Sequence, residues 1–540
     1  MVKNKIKFKN GIFFLIDALR FDTINEPKKR SFLFPNIDKI VGKSSLFKCT
    51  ANSRSTQFVL PSLFTLSYPL DYGGYDNGIR NRPLSVAEFL KKEGFKTSFI
   101  SNCNQVGVTG GYDRGFDELK ASVDFKTLLE QRISRTIKPK YLKEKKISKK
   151  RAQVYLKKEL GFFLDMLGKN IENYDQSIWT KKLLKSNIQL AKLFKLEKKL
   201  VRSDIELIAR KIELISPGNY RKFLGKKKVD KISIFIDKFF SGISWRTRRF
   251  ISNNPRFFPF TWFGHISIKF DEIQKKFYSE VENLLKSNQP FYMYVHCMDV
   301  HDNRDIGNLR HYVIKCKFFF RWTYARLFGL SDRTFNYDSS LMMVDENLKK
   351  IVEMINSKKF KNTVFVITAD HGLSAASAPK RKLFLSERFL EMYREDLEVP
   401  LILFENEKKK FFKNEIIDSM DMVKIFLNKL GLKKFPKCFK GQLLNKSKKD
   451  FVISEHGGRG SADLMLNNLY FVITKKNEKL VVELEQNLIK PIAFFNLKKD
   501  PNEQENLINE KITKKEINPL LKNLYQERGS LIKKRISIKK

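Results

Sequence analysis

Disulfide chemistry has little to work with in this chain. Its 540 residues hold five cysteines (Cys49, Cys103, Cys297, Cys316 and Cys438), an odd count without a C-x-x-C pair. That argues against a disulfide framework. No apolar run approaches the roughly 20 residues a membrane span requires. Gly11–Ile16 is too short for the core of a secretory leader and ends in Asp17. A reduced cytoplasmic compartment is therefore expected, with attachment to the inner membrane face left open. Acidic residues are also scarce: 59 face 105 lysines and arginines, a formal charge of +46. Such a field attracts nucleic acid, acidic lipid headgroups, anionic glycans or phosphorylated substrates. Charge alone does not choose among them, and lysines on solvated helix faces would give the same count. Nucleic acid has no recognisable motif here. With 42% hydrophobic and 13% aromatic residues the chain has ample material for a core.

Residues 11–120 alternate strand and helix patterns. Helices are predicted at Pro35–Ile40 and Leu84–Glu93, and a buried strand at Thr97–Ser101. The pattern resumes with Phe291–Val295, a helix over Asn336–Ile355, the run before Asp370, and Val399–Phe404. Alternation of this kind predicts an α/β fold with a mostly parallel sheet flanked by helices. Between them lies a lysine-rich stretch with apolar residues at helical spacing, as in Tyr141–Leu167 and Trp179–Leu214. It reads as a basic helical insertion, lying on a membrane surface or covering the active site. Beyond about residue 445, Phe451–Ser454, Leu469–Thr474, Lys479–Leu484 and Ile492–Phe495 follow without helices, predicting a small antiparallel sheet. The expected organisation is a catalytic domain from 1–120 and 289–445, an insertion over 121–288, and a C-terminal α+β subdomain with a basic tail over 446–540.

Chemistry concentrates where apolar runs end. Phe13–Ile16 leads into Asp17, and Val364–Thr368 leads through Ala369 into Asp370-His371-Gly372. Ligands of open α/β sheets bind outside the carboxyl ends of strands, so two acids and an imidazole there begin a metal site. Histidine is rare, with six in the chain. Four of them (His296, His301, His371 and His456) fall in segments that end predicted strands.

Seven segments in order then carry a resemblance. They are Asp17, Pro35-Asn36-Ile37-Asp38, Ser53–Thr65, His296–Asp302, Asp370-His371-Gly372, Val399–Leu403 and Leu497–Leu507. Together they resemble the sulfatase family of the alkaline phosphatase superfamily, over residues 11–120 and about 290–507. The resemblance implies an alkaline-phosphatase-like fold and a metal held by Asp17, Asp370, His371 and the nucleophile. Six residues before Ser62, the register of the family's nucleophile falls on Thr56, with Ser55 its neighbour and rival. Read without the family, Thr56 would be a helix cap. The resemblance also implies that His301 contacts the transferred group or protonates the leaving oxygen. It gives Lys380, Arg381 and His296 as substrate contacts, with His296 as a buried structural residue the other reading. Asp299 and His456 would complete a second metal site.

Two departures matter. The family's C-x-P-x-R cysteine, the precursor of formylglycine, is absent, since Cys49–Arg54 lacks the proline and has one residue too many. The paired aspartate of the first strand is Asp17-Ala18 here. Both shift the expectation to the phosphatase, phosphodiesterase and phosphoglycerol-transferase-like relatives, acting on a phosphoester of a lipid or glycan headgroup. Sulfate-ester hydrolysis is the alternative, and an inactive fold binding anionic membrane or glycan is a second. His371 among oxygen ligands favours Mn2+ or Zn2+, with Mg2+ or Ca2+ as less fitting options.

Overall fold

In the computed structural model the described residues are 8–75, 77–173, 176, 179, 181–253, 269–287, 289–303, 309–374, 392–405, 416–444, 450–457, 468–485, 488–509 and 514–537. Eight strands form one sheet: β1 (Asn10–Ile16), β2 (Ser45–Thr50), β3 (Lys96–Ser101), β4 (Glu118–Ala121), β5 (Phe291–Cys297), β6 (Thr363–Thr368), β7 (Glu398–Phe404) and β8 (Ile417–Asp418). Their order is β4-β3-β5-β1-β6-β7-β2-β8. Every pairing is parallel except those of β7 with β6 and β2, so only β7 runs back. The carboxyl ends of β3, β5, β1 and β6 therefore lie side by side, and β2 ends at the same edge.

The central strands are continuous apolar runs because both faces of the sheet are covered. Every residue of β5 and β6 is buried. Neighbouring phenylalanines of β1 point to opposite faces, as strand geometry requires. Phe14 packs edge-on against Phe270 and Phe277 of the helix Phe270–Lys286, at 5.2 and 5.8 Å. Phe13 packs against Phe426 of the helix Ser419–Lys429 at 5.4 Å. The helix Phe270–Lys286 is thus part of the layer that covers the sheet.

A separate antiparallel sheet contains β9 (Phe451–His456), β10 (Leu469–Lys475), β11 (Glu478–Glu485) and β12 (Leu488–Asn496), in the order β12-β11-β10-β9. It meets the catalytic body through β9. Glu455 N–H donates to the Asn52 carbonyl at 2.7 Å, and Ser454 Oγ to the Ala51 carbonyl at 2.6 Å. Among the described residues the stretch from 121 to 288 is helical. Both long stretches are helical with a break in each: the first breaks at Ser148, between Lys138–Ile147 and Lys149–Asn173. The second breaks at Asp204, whose carboxylate caps Ile205–Leu214 through Leu207 N–H at 2.9 Å. The last described residues form the helix Lys514–Ser537, in which Ile532 is buried, Arg528 bonds Asp71 at 2.7 Å, and Lys533 and Lys534 are exposed.

Candidate active site

β1 delivers Asp17, fully buried, onto the carboxyl edge. The turn that follows places Ala18 at φ +65°, a left-handed conformation that costs a non-glycine residue energy. Tyr337 holds this turn, donating its hydroxyl to the Ala18 carbonyl at 3.0 Å and accepting from Arg20 N–H at 3.1 Å. β6 delivers Asp370 and His371 in the same way. Gly372 follows because there is no room for a side chain. A Cβ there would lie 2.0 Å from the Glu395 carbonyl oxygen.

Thr56 is the first residue of the helix Thr56–Thr65, whose N-terminus faces the edge of the sheet. Ser55 occupies the cap position without a side-chain cap, so Thr56 does not play that role. The Thr56 hydroxyl instead lies 3.0 Å from Asp17 Oδ2 and 3.3 Å from His371 Nε2. The free N–H groups and positive end of the helix favour negative charge at that position. His371 Nδ1 is 2.6 Å from the Gly372 carbonyl, which assigns its hydrogen to Nδ1 and leaves Nε2 with a lone pair. Nε2 is also 3.6 Å from both Asp17 Oδ1 and Asp370 Oδ2. Asp17, Thr56, Asp370 and His371 therefore share one small volume.

The carboxylates pay for their position. Burial, then the neighbouring Asp17 charge, raise the Asp370 carboxyl above the usual range. Burial acts on Asp17 in the same direction, but the charge of His301 and the hydrogen bond from His296 hold it well below. Asp17 Oδ1 and both oxygens of Asp370 are buried without a hydrogen-bond partner among the described residues. Orphaned carboxylate oxygens in the interior are costly, and a cation between them removes the cost. Ligand atoms of Asp17, His301 and His371 lie within 4.8 Å of one another, as do those of Asp17, Cys103 and His296. The donors Asp17 and His371 fit a divalent metal; Asp370 is in neither compact group, but its Oδ2, 3.6 Å from His371 Nε2, would join them as a ligand.

His301 is the open member of the site, its side chain 39% exposed. Nδ1 lies 3.1 Å from Asp302 Oδ1, and its ring centre is 6.0 Å from that of His371. Desolvation pulls this imidazole down, but Asp17 and Asp302 carry it up to about 10. His296 is placed differently from a substrate contact. It is fully buried, with Nε2 3.1 Å from Asp17 Oδ2 and Nδ1 2.9 Å from the Tyr294 hydroxyl. Both ring nitrogens are used, and they orient the carboxylate from behind. Cys103, which sequence reasoning passed over, adjoins His296 and Asp17 at the end of β3.

The expected second metal pair is not assembled. Asp299 accepts from Asn102 Nδ2 at 3.1 Å and from Phe270 N–H at 3.0 Å, fixing the start of the helix that covers β1. His456 packs its ring against Phe58, with centres 4.5 Å apart. Burial, with Arg54 nearby, lowers its pKa to about 3. Neither belongs to a potential metal group among the described residues. Lys380, Arg381 and His265 lie outside the described residues. His311 pairs with Asp271 at 2.8 Å. Glu503 makes a buried pair with Lys479 at 2.8 Å and accepts from Arg394 N–H at 3.2 Å.

A cleft of about 100 Å³ opens beside the nucleophile helix. Gln57, Tyr75 and Gln105 line it from the catalytic body, and Arg132, Arg135 and Thr136 line it from the insertion. Arg135 and Thr136 lie within a π-helical turn, Ile133–Ile137, and Arg132 immediately precedes it; such a turn often marks functional sites. Gln105 Oε1 is buried there without a hydrogen bond among the described residues.

A hydroxyl, buried acids and imidazoles gathered on the carboxyl edge of this sheet are the parts of a hydrolase site that could hold a metal. The Sulfatase family model matches residues 9–186 and 225–432, and the chain belongs to the sulfatase family. No curated protein matches it. Among solved structures, yidJ of Bacteroides fragilis, a candidate sulfatase, is similar with a TM-score of 0.58 at 14% identity, covering 99% of each chain. Ps i-CgsB, solved with k-i-k-neocarrahexaose, is similar with a TM-score of 0.52 at 14% identity, covering 97% of this chain and 93% of that one. A candidate sulfatase of Bacteroides thetaiotaomicron reaches 0.50 at 13% identity, with the same coverage. At these identities the likeness is one of fold.

Proposed function

We propose that this sulfatase-family hydrolase cleaves phosphoesters, phosphodiesters included, using Thr56 as its nucleophile. One observation carries the reading: the residue whose hydroxyl is held between Asp17 and His371 is a threonine. A threonine cannot be oxidised to the hydrated aldehyde that expels sulfate by elimination. It can attack phosphorus directly. A divalent cation held by Asp17, Asp370 and His371, Mn2+ or Zn2+ by the mixed oxygen and imidazole donors, would supply charge neutralisation and favour the ionised hydroxyl.

Thr56, its proton released to solvent, attacks phosphorus through Oγ. The bond from phosphorus to the leaving oxygen breaks, and His301, the exposed imidazole, gives that oxygen a proton. Water then attacks phosphorus, His301 takes its proton, and Thr56 leaves as the alkoxide. An acceptor alcohol in place of water would make the same sequence a transfer. Five cysteines, an odd count without a C-x-x-C pair, suit a reducing compartment, and we place the activity in the cytoplasm.

Family membership favours the second reading, sulfate-ester hydrolysis. Matched aryl phosphate, phosphodiester and sulfate esters with added Mn2+ decide between them. Preferred phosphoester turnover is expected. Faster turnover of the sulfate would overturn the proposal, and no turnover with no bound metal would leave an inactive binding protein. The cleft adds a second expectation. Arg135 makes no hydrogen bond or ion pair among the described residues, and burial depresses its pKa. A substrate carrying a further anionic group would gain there, so Arg135→Ala should raise KM about tenfold for such a substrate. An aryl phosphate too small to reach the cleft should be unaffected.

A further inference from the structure

Two helices outside the catalytic site turn apolar residues to the outside. On Lys231–Asn253, Ile232, Phe235, Ile236, Phe239, Phe240 and Ile243 are between 47% and 72% exposed. Their spacing of three and four residues puts them on one stripe of the helix. Its neighbours are basic: Lys226, Lys227 and Lys228 precede the helix, and Lys238 and Arg246 lie on it, all exposed. The helix Leu309–Leu327 repeats the pattern. Leu309, Val313, Phe320, Tyr324 and Leu327, with Phe328 just beyond, are 48% to 80% exposed, beside exposed Arg310, Lys317 and Arg326. Its opposite face is anchored, with His311 and Lys315 buried, and Lys315 Nζ donating to the Asn303 carbonyl at 2.6 Å. That carbonyl is two residues from His301, so the second helix is tied to the loop that carries the site's open imidazole.

Soluble proteins seldom leave ordered apolar stripes facing water. We propose that these two stripes dock the protein on an anionic lipid bilayer, its apolar side chains entering the headgroup region and its lysines and arginines meeting the lipid phosphates. Charge selects this occupant. A second copy of a chain with a formal charge of +46 would be repelled, whereas an anionic bilayer attracts it. A nucleic acid would satisfy the charge but offer nothing to phenylalanine, isoleucine and leucine at helical spacing. Amphipathic helices with basic flanks and low net hydrophobicity lie in the plane of the interface. In keeping with that mode, no helix among the described residues is long and apolar enough to cross a membrane.

The test is co-sedimentation of the full chain with vesicles of phosphatidylcholine alone and of phosphatidylcholine with phosphatidylglycerol, at low and high salt. Binding is expected only to the anionic vesicles and should weaken with salt. Phe235→Ser/Phe239→Ser/Phe240→Ser and Phe320→Ser/Leu327→Ser/Phe328→Ser should each lower partitioning roughly tenfold or more. All six positions are exposed, so circular dichroism and hydrolysis of a soluble ester should stay unchanged. Loss in one variant alone would support docking through that helix. Equal binding by wild type and both variants would overturn the proposal, leaving bare charge as the cause. Failure of the wild type to bind anionic vesicles would also overturn it, as would a dimer that the substitutions dissociate.

Discussion

Thr56→Ala is expected to lower phosphoester turnover by roughly a thousandfold or more, about 4 kcal/mol of lost transition-state stabilisation. The neighbouring Ser55→Ala should stay within about threefold of wild type, because the cap-position serine makes no side-chain cap and the hydroxyl between Asp17 and His371 is that of Thr56. Thr56→Ser keeps the hydroxyl and should retain much of the rate. Substrate binding should survive Thr56→Ala, so the loss belongs in kcat while KM changes little. Steady-state kinetics of the three variants on one phosphodiester check this. A collapse confined to Ser55→Ala would move the nucleophile by one residue and undo the register on which the site is built.

Asp370→Asn should have two opposite effects that a merely structural residue would not show. In the metal-bound enzyme, loss of a ligand should bring turnover to background. In chelated protein the same change removes one of two buried carboxylate charges that oppose each other. Burial and the Asp17 charge already push Asp370 toward its neutral form, so its replacement should relieve that strain. The chelated variant should therefore melt as high as, or higher than, chelated wild type. Added Mn2+ at about a hundred times its Kd should stabilise wild type by ~2.7 kcal/mol and the variant far less. Thermal unfolding with and without metal separates these terms. If Mn2+ raised both melting temperatures equally, the cation would be binding elsewhere, for which the Asp271, Glu272 and His311 group is the available site.

Much of this site was readable without coordinates because of how a parallel sheet is made. Strands buried on both faces are unbroken apolar runs, and a polar residue that ends one must sit on the sheet's edge. Asp17 and Asp370 were visible for that reason, and the order β5-β1-β6 then makes them neighbours. Thr56 came from motif register, which works because the helix after β2 starts at the same edge. Roles that depend on cross-strand or long-range partners were not readable. His296 looks like a site histidine in the sequence, but Tyr294 and Asp17 take both its nitrogens. Asp299 has the spacing of a ligand and is spent on the N–H of Phe270. β2 escaped a periodicity reading because Lys48 interrupts it, on the face left exposed next to β7. The buried Lys479–Glu503 pair joins positions that nothing in the local sequence connects.

A nucleophilic Thr56 must form a covalent bond with the transferred group. Enzyme mixed with excess phosphodiester and Mn2+, quenched in acid and digested, should yield the Ser55–Thr65 region heavier by one phosphoryl group still esterified to the retained alcohol, with fragmentation placing it on Thr56. The same mass on Ser55 or on any other residue, in enzyme that is turning over, would contradict it.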